Sequence, residues 1–253
     1  MNQNLRNMEY AVRGAIVIRA DELAAEGKKI LYTNIGNPHS VGQKPLTWPR
    51  QVSALVDLPA DVGVDHPQAA SLFPADAIAR AREMKGALGG GTGAYSHSKG
   101  IRSFRDDVAA FIASRDGIPA DPERIFLTNG ASTGIGSILT TVMAGGKDGC
   151  MIPIPQYPIY SATLAMLNAR QVGYALSEGA GWSASLASLE SSLASAKAAG
   201  TNVKAFVLIN PGNPTGQVLD PSAIEDVCRF CDKHGLVLLA DEVQVPPPPA
   251  RAR

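Results

Sequence analysis

Ala205-Phe206-Val207-Leu208-Ile209-Asn210-Pro211-Gly212-Asn213-Pro214-Thr215-Gly216 is the stretch that decides the fold. Its first five residues are apolar without alternation. That is the pattern of a strand covered on both faces, which belongs to parallel sheets flanked by helices. The residues that follow form a turn: prolines fix the backbone on either side of Asn213, and glycines supply the bends. Past one helical segment, Leu236-Val237-Leu238-Leu239-Ala240 reads as a second buried strand, ending on Asp241.

The same alternation extends upstream. Strands are predicted over 124–128, 150–153 and 171–175, and helices over 130–143, 159–167, 183–199 and 221–234. Repeated β-α-β units predict an α/β fold, a mostly parallel sheet with helices on both faces. The N-terminal part is patterned differently. It reads as a helix over 8–26 ended by Gly27, a short strand over 30–32, and a turn at 34–38. A Pro- and Asp-rich stretch over 57–76 follows, with short helical pieces. Then come a helix over 77–88, a glycine loop over 89–93 and a helix over 101–115. In the last, Ile101, Phe104, Val108, Phe111 and Ile112 repeat with a helical period.

The chain has 253 residues, 45% hydrophobic and 18% charged, with a formal net charge of +0. This is ordinary globular composition, and the charge balance recruits neither nucleic acid nor an anionic membrane. No run reaches the length of a membrane span. Without a signal or transit segment, the expected location is the cytoplasm. Three cysteines do not make a disulfide framework. Cys228, Cys231 and His234 have metal-like spacing, but no second ligand pair exists, so they read as a helix face.

Ligands of open α/β sheets bind outside the carboxyl ends of the strands. Four segments occupy such positions. Thr128-Asn129-Gly130-Ala131-Ser132-Thr133 opens a helix, whose N-terminus suits an anion or is an ordinary Ser-capped turn. It lacks the Gly-Lys-Ser/Thr of a nucleotide loop, and Gly134 and Gly136 lack the third glycine of a dinucleotide fingerprint. Tyr157 follows a strand and can stack on a planar ligand or fill a loop. Asn213 offers an amide. Asp241 ends an apolar strand, where an unpaired carboxylate is costly; a protonated ring nitrogen or a nearby Arg or Lys would answer it.

Together these segments resemble the fold-type I, or class I/II, pyridoxal-phosphate-dependent aminotransferases, and most closely the alanine aminotransferase family. The resemblance includes Tyr10-Ala11-Val12-Arg13-Gly14, Asn34-Ile35-Gly36-Asn37-Pro38 and Gly93-Ala94-Tyr95-Ser96-His97-Ser98-Lys99-Gly100. It continues through Arg115-Asp116-Gly117, Pro155-Gln156-Tyr157-Pro158-Ile159-Tyr160 and Ala240-Asp241-Glu242-Val243. It implies pyridoxal 5'-phosphate as cofactor. Ala131, Ser132 and Thr133 would hold the phosphate, Tyr157 would stack on the ring, Asn213 would bond the ring oxygen, and Asp241 would pair with the ring nitrogen. Tyr95 would reach the phosphate of a neighbouring subunit, and Gly36 would lie near the substrate carboxylate.

The same resemblance implies an arm and helix over 1–76 that contributes to the small domain and the dimer contact. It implies a partial cofactor-binding large domain over 77–243 and leaves 244–253 as a foreign Pro/Arg tail. The family's Ser-x-Ser-Lys, whose lysine forms the Schiff base, is not matched. Ser96-His97-Ser98-Lys99 precedes the phosphate loop and fits a different family segment. None of Lys28, Lys29, Lys44, Lys85, Lys147, Lys197, Lys204 and Lys233 sits at the C-terminal end of a buried strand, where the Schiff base needs it. The expectation is a chain truncated before its catalytic lysine, so no catalytic residue is assigned. In full-length form it would be an enzyme taking L-alanine and 2-oxoglutarate to pyruvate and glutamate, with amino acid and 2-oxo acid substrates and a dimeric assembly. The alternative is an inactive cofactor-binding or dimerisation module that pairs with a full-length subunit. A Rossmann-type nucleotide enzyme fits the alternation but has no complete fingerprint.

Overall fold

The computed structural model describes residues 1–10, 14–32, 36 and 38–243. In chain order the elements are α1 (Gln3–Asn7), α2 (Ala15–Ala25), α3 (Trp48–Asp57), α4 (Ala69–Leu72), α5 (Ala75–Ala87), α6 (Arg102–Asp116), α7 (Ala131–Val142), β1 (Asp148–Ile154), α8 (Ile159–Met166), β2 (Arg170–Ala175), α9 (Leu186–Ala198), β3 (Asn202–Ile209), α10 (Pro221–His234) and β4 (Val237–Asp241). They fall into two compact units, Met1–Asn34 with Asn129–Arg253, and Ile35–Thr128.

The first unit carries the sheet, in the order β2-β1-β3-β4, with every neighbouring pair parallel. Side chains alternate across it as the pleat requires. Met151, Val172, Tyr174, Phe206 and Leu208 face Leu189 and Leu193 of α9 and Val227, Phe230 and Cys231 of α10. Cys150, Ile152, Ala205, Val207 and Ile209 face Leu139 of α7 and Tyr160 and Leu164 of α8. Helices therefore cover both faces, as the apolar strands predict. β3 is buried from Ala205 to Ile209, which is why it carries no polar alternation. Local signals set the helix ends. The Ser185 hydroxyl accepts from Ser188 N at the start of α9. Pro221 opens α10, and Gly235, at φ 63°, closes it in the left-handed conformation that glycine adopts without strain.

The second unit has its own core. Val52, Leu55 and Val56 of α3 pack against Ala77, Ile78 and Ala81 of α5, with Val64 and Ala69 alongside. The Lys85 ammonium, itself buried, donates to the carbonyls of Val56 (2.9 Å) and Leu58 (2.5 Å), satisfying groups at the end of α3.

Four expectations are corrected. Residues 124–128 form no strand: Pro122–Arg124 is a 3-10 turn. Leu127 N bonds Lys99 O, and a strand needs a ladder rather than one bond. Residues 30–32 likewise lack a pairing partner among the described residues. The helix expected over 8–26 is α2, starting only after Gly14, with the shorter α1 ahead of it; residues 11–13 lie outside the described residues. β4 is half-buried rather than buried, because among the described residues it pairs on one side only, with β3. The sequence reading also passed over α3, whose Trp48-Pro49 start carries no Ser, Thr, Asp or Asn cap bond. No helix among the described residues is long and apolar enough to cross a membrane.

Candidate functional site

Chain order against strand order locates the site. From β1 the chain steps outward to β2, then returns past β1 to β3. The direction of winding reverses between β1 and β3, and such a switch point opens a crevice at the carboxyl ends of the strands. Three loops or strand ends meet there: Pro155 to Pro158 after β1, Asn210 to Gly216 after β3, and Asp241 at the end of β4. The N-terminus of α7 closes the fourth side. Ala131, Ser132, Ile135, Tyr157, Ile209, Asn213, Asp241 and Val243 line one cavity of about 330 Å³. All of them belong to the first unit.

Each wall is built locally. Asp241 pairs in register with Ile209, and Asn210 N donates to Asp241 O at 3.0 Å. Two residues apart on a strand means the same face, so Asp241 shares the face of Leu239, towards α7 and α8. There the Tyr160 hydroxyl, on a fully buried side chain, donates to Asp241 Oδ2 at 2.5 Å. Val243 N donates to Asp241 Oδ1 at 3.2 Å. Burial, then the bond to the carboxylate, pushes the Tyr160 phenol far above its ordinary range, so it stays a donor. No lysine, arginine or histidine among the described residues forms an ion pair with Asp241. The carboxylate is thus held by two neutral donors and faces the cavity without a cation.

The Asn213 loop is fixed by backbone bonds. Gly212 N donates to Gln217 O and Gly216 N to Gly212 O, both at 2.9 Å, while Leu219 N donates to the Asn210 side chain at 3.0 Å. Gly216 holds φ +74°, and a Cβ on Gly212 would meet the Gln217 amide at 2.1 Å. The peptides before Pro155, Pro211 and Pro214 are cis. Among the described residues the Asn213 amide has no hydrogen-bond partner.

At α7, Gly130 takes φ 79° as the cap residue, and the first turn of the helix forms part of the cavity wall. The first N–H groups of a helix favour an anion; here those of Thr133 and Gly134 turn back to Gly130 O, which leaves Ala131 and Ser132 for a ligand. Ser132 lines the cavity with Ala131. Thr133 does not; its hydroxyl donates to Asn129 O at 3.0 Å. Tyr157 presents its ring to the cavity, while its hydroxyl pairs with that of Tyr10 at 2.6 Å.

Five of the expected residues, Ala131, Ser132, Tyr157, Asn213 and Asp241, therefore surround one space. Tyr95 and Gly36 lie in the second unit, both exposed. Tyr95 lines a separate groove with Gly91, Thr92 and His97. Lys99 donates to the Glu123 carbonyl and carboxylate. On α10, Cys231 is in the core, where burial pushes its thiol up to about 11, Cys228 is exposed, and His234 bonds Glu190. Sequence reasoning missed Tyr160 and Tyr10. Tyr160 ends the Pro155–Tyr160 motif one helical turn past Tyr157, a spacing that was available as a signal.

The arrangement offers an anion pocket, an aromatic wall, a free amide and an unpaired carboxylate. It suits a planar anionic ligand with a protonated ring nitrogen and an exocyclic oxygen. The sequence model described as "Aminotransferase class I and II" matches residues 65–243. Glutamate–glyoxylate aminotransferase 2 of Arabidopsis thaliana is 51% identical over 243 residues, covering 96% of this chain and 50% of that protein. A probable mitochondrial alanine aminotransferase of Dictyostelium discoideum is 48% identical, with 95% and 47% covered. Among solved structures, alanine aminotransferase from Pyrococcus furiosus superposes with a TM-score of 0.74 at 20% identity, covering 96% of this chain and 52% of that one; this likeness is one of fold. The chain spans about half the length of the curated relatives it matches.

Proposed function

The chain belongs to the aminotransferase class I and II family, and from that premise we propose that its cavity binds pyridoxal 5'-phosphate for transamination between an amino acid and a 2-oxo acid. One observation carries the reading. Asn213 and Asp241 present an unpartnered amide and an unpaired carboxylate to the same cavity, between the Tyr157 ring and the N-terminus of α7.

The residues fit the cofactor group by group. Asp241 holds the proton of the pyridine nitrogen. Asn213 donates to the ring oxygen. Tyr157 stacks on the ring. Ala131 and Ser132, at the N-terminus of α7, take the phosphate; Thr133 would join them only by giving up its present bonds, since its hydroxyl donates to Asn129 O and its N–H to Gly130 O. When bound, pyridoxal phosphate supplies the electron sink that transamination needs. By the same family reading, Gly36 lies beside the substrate carboxylate, and Tyr95 serves the site of a neighbouring subunit in a dimer.

No lysine is among the residues lining the cavity. The proposal for these 253 residues is therefore non-covalent cofactor binding with negligible turnover. For the complete set of family site residues, the reaction we propose is L-alanine with 2-oxoglutarate giving pyruvate and glutamate. A second reading, glutamate as donor and glyoxylate as acceptor, is favoured by the 51% identity to the Arabidopsis enzyme. A third, an inactive module pairing with a complete subunit, rests on the same cavity lining without a lysine.

Titration of the purified chain with pyridoxal phosphate, followed by borohydride reduction and peptide mass spectrometry, tests this. Saturable binding without a reduced adduct on any cavity residue is expected. An absence of binding, or pyruvate formed from alanine by this chain alone, would refute it.

A further inference from the structure

We propose that Tyr10 is a positioning residue for the cofactor site, setting the Tyr157 ring through a direct hydroxyl pair; this rests on the pyridoxal phosphate reading above. The two hydroxyls are 2.6 Å apart across 147 positions of sequence. The rings meet edge to face, with centroids 6.3 Å apart and planes at 85°. Tyr157 lines the cavity and Tyr10 does not, so Tyr10 acts through Tyr157.

The geometry gives each contact a separate task. A tyrosine hydroxyl lies on the axis about which its ring turns. A bond to it fixes where that axis points but leaves rotation free. Rotation about that torsion is broad and two-fold, so a second contact is needed to hold the plane. The perpendicular Tyr10 ring supplies it, in the edge-to-face arrangement aromatic pairs prefer. Stacking on a planar ligand depends on that plane, because a tilted ring loses contact area with the ligand face. The leading segment is itself seated: α1 packs on α8, the helix that begins two residues after Tyr157. Asn2 caps α1 by accepting from Asn4 N at 2.9 Å. The chain's first residues thus orient a wall of a site formed more than a hundred residues later.

A double-mutant cycle on pyridoxal phosphate affinity tests this, using the full 253-residue chain with Tyr10→Phe, Tyr157→Phe and the double variant. Phe keeps both rings and removes only the hydroxyl pair, so circular dichroism should match the parent and the unfolding midpoint should fall by no more than one lost hydrogen bond accounts for. Tyr10→Phe should weaken binding roughly three- to tenfold, the range for one lost hydrogen bond. In the Tyr157→Phe background the same change should have no further effect. A merely structural Tyr10 would weaken binding equally in both backgrounds, and that result would overturn the proposal. So would unchanged affinity in Tyr10→Phe while the parent binds. A parent that does not bind would remove the cofactor reading, and this inference with it.

Discussion

Asp241 and Asn213 show how two side chains beside the carboxyl ends of neighbouring strands differ in weight. Hydrogen bonds to charged groups are worth about 1.5–3 kcal/mol and neutral ones about 0.5–1.5. Asp241→Asn keeps the shape and the Tyr160 contact but removes the charge that meets a protonated ring nitrogen. It should weaken pyridoxal phosphate binding about ten- to a hundredfold, whereas Asn213→Ala should cost about three- to tenfold. Equilibrium titration of both variants checks the order; equal losses would contradict the pairing of Asp241 with a cation. The identity of Asp241 was legible because a carboxylate ending an apolar strand needs a partner. Its actual holder was not. Tyr160 lies 81 positions away, and nothing local to either residue encodes the packing of α8 on the sheet. Thr133 shows the opposite limit: helix starts can be read, but which hydroxyl turns back onto the chain cannot.

At the scale of elements, the parallel ladder is tied at its amino end as well as at its site end. Asp148, opening β1, accepts from Lys204 Nζ of β3, Asn202 Nδ2 and Ala144 N, each at 2.8 Å. Lys204 above all, then the backbone and amide donors, hold its pKa down at about 2, against 3.8 unperturbed. A carboxylate whose folded pKa is depressed stabilises the fold above its unfolded value and loses that contribution as pH falls through the folded value. Acid titration should therefore weaken the parent between about pH 4 and 2. Asp148→Asn, measured by urea unfolding at several pH values, should show a shallower loss over that window; an unchanged slope would mean the cluster does not couple β1 to β3. The strands themselves were readable where burial on both faces removed alternation, as in β3. Residues 124–128 also read as a strand yet formed none, because composition records preference and only a neighbouring strand supplies the ladder.

For the molecule as a whole, the alternation of strands and helices was enough to foresee a parallel sheet covered on both faces, but the unit boundary left no trace in composition. The chain crosses it twice, between Asn34 and Ile35 and between Thr128 and Asn129, each time inside a motif rather than in a linker. The exposed margin of the sheet was equally hidden, since β4 carries the apolar run of an interior strand. One edge of β4 pairs with β3, and the other has no ladder partner among the described residues. Beside it runs an apolar groove of about 370 Å³ lined by Ile135, Ile138, Val237 and Leu239, with Ile138 48% and Val237 46% exposed. An unpaired apolar edge is a template for another copy of itself, and a lysine on such an edge blocks that pairing. The 253-residue chain should therefore self-associate with rising concentration in sedimentation velocity. Val237→Lys should suppress that association while leaving pyridoxal phosphate affinity intact, because Val237 lies at the opposite end of β4 from Asp241 and does not line the cofactor cavity. Association that persists unchanged in Val237→Lys would place the contact elsewhere, whereas loss of cofactor binding along with association would mean that β4 is held in register partly by the second copy.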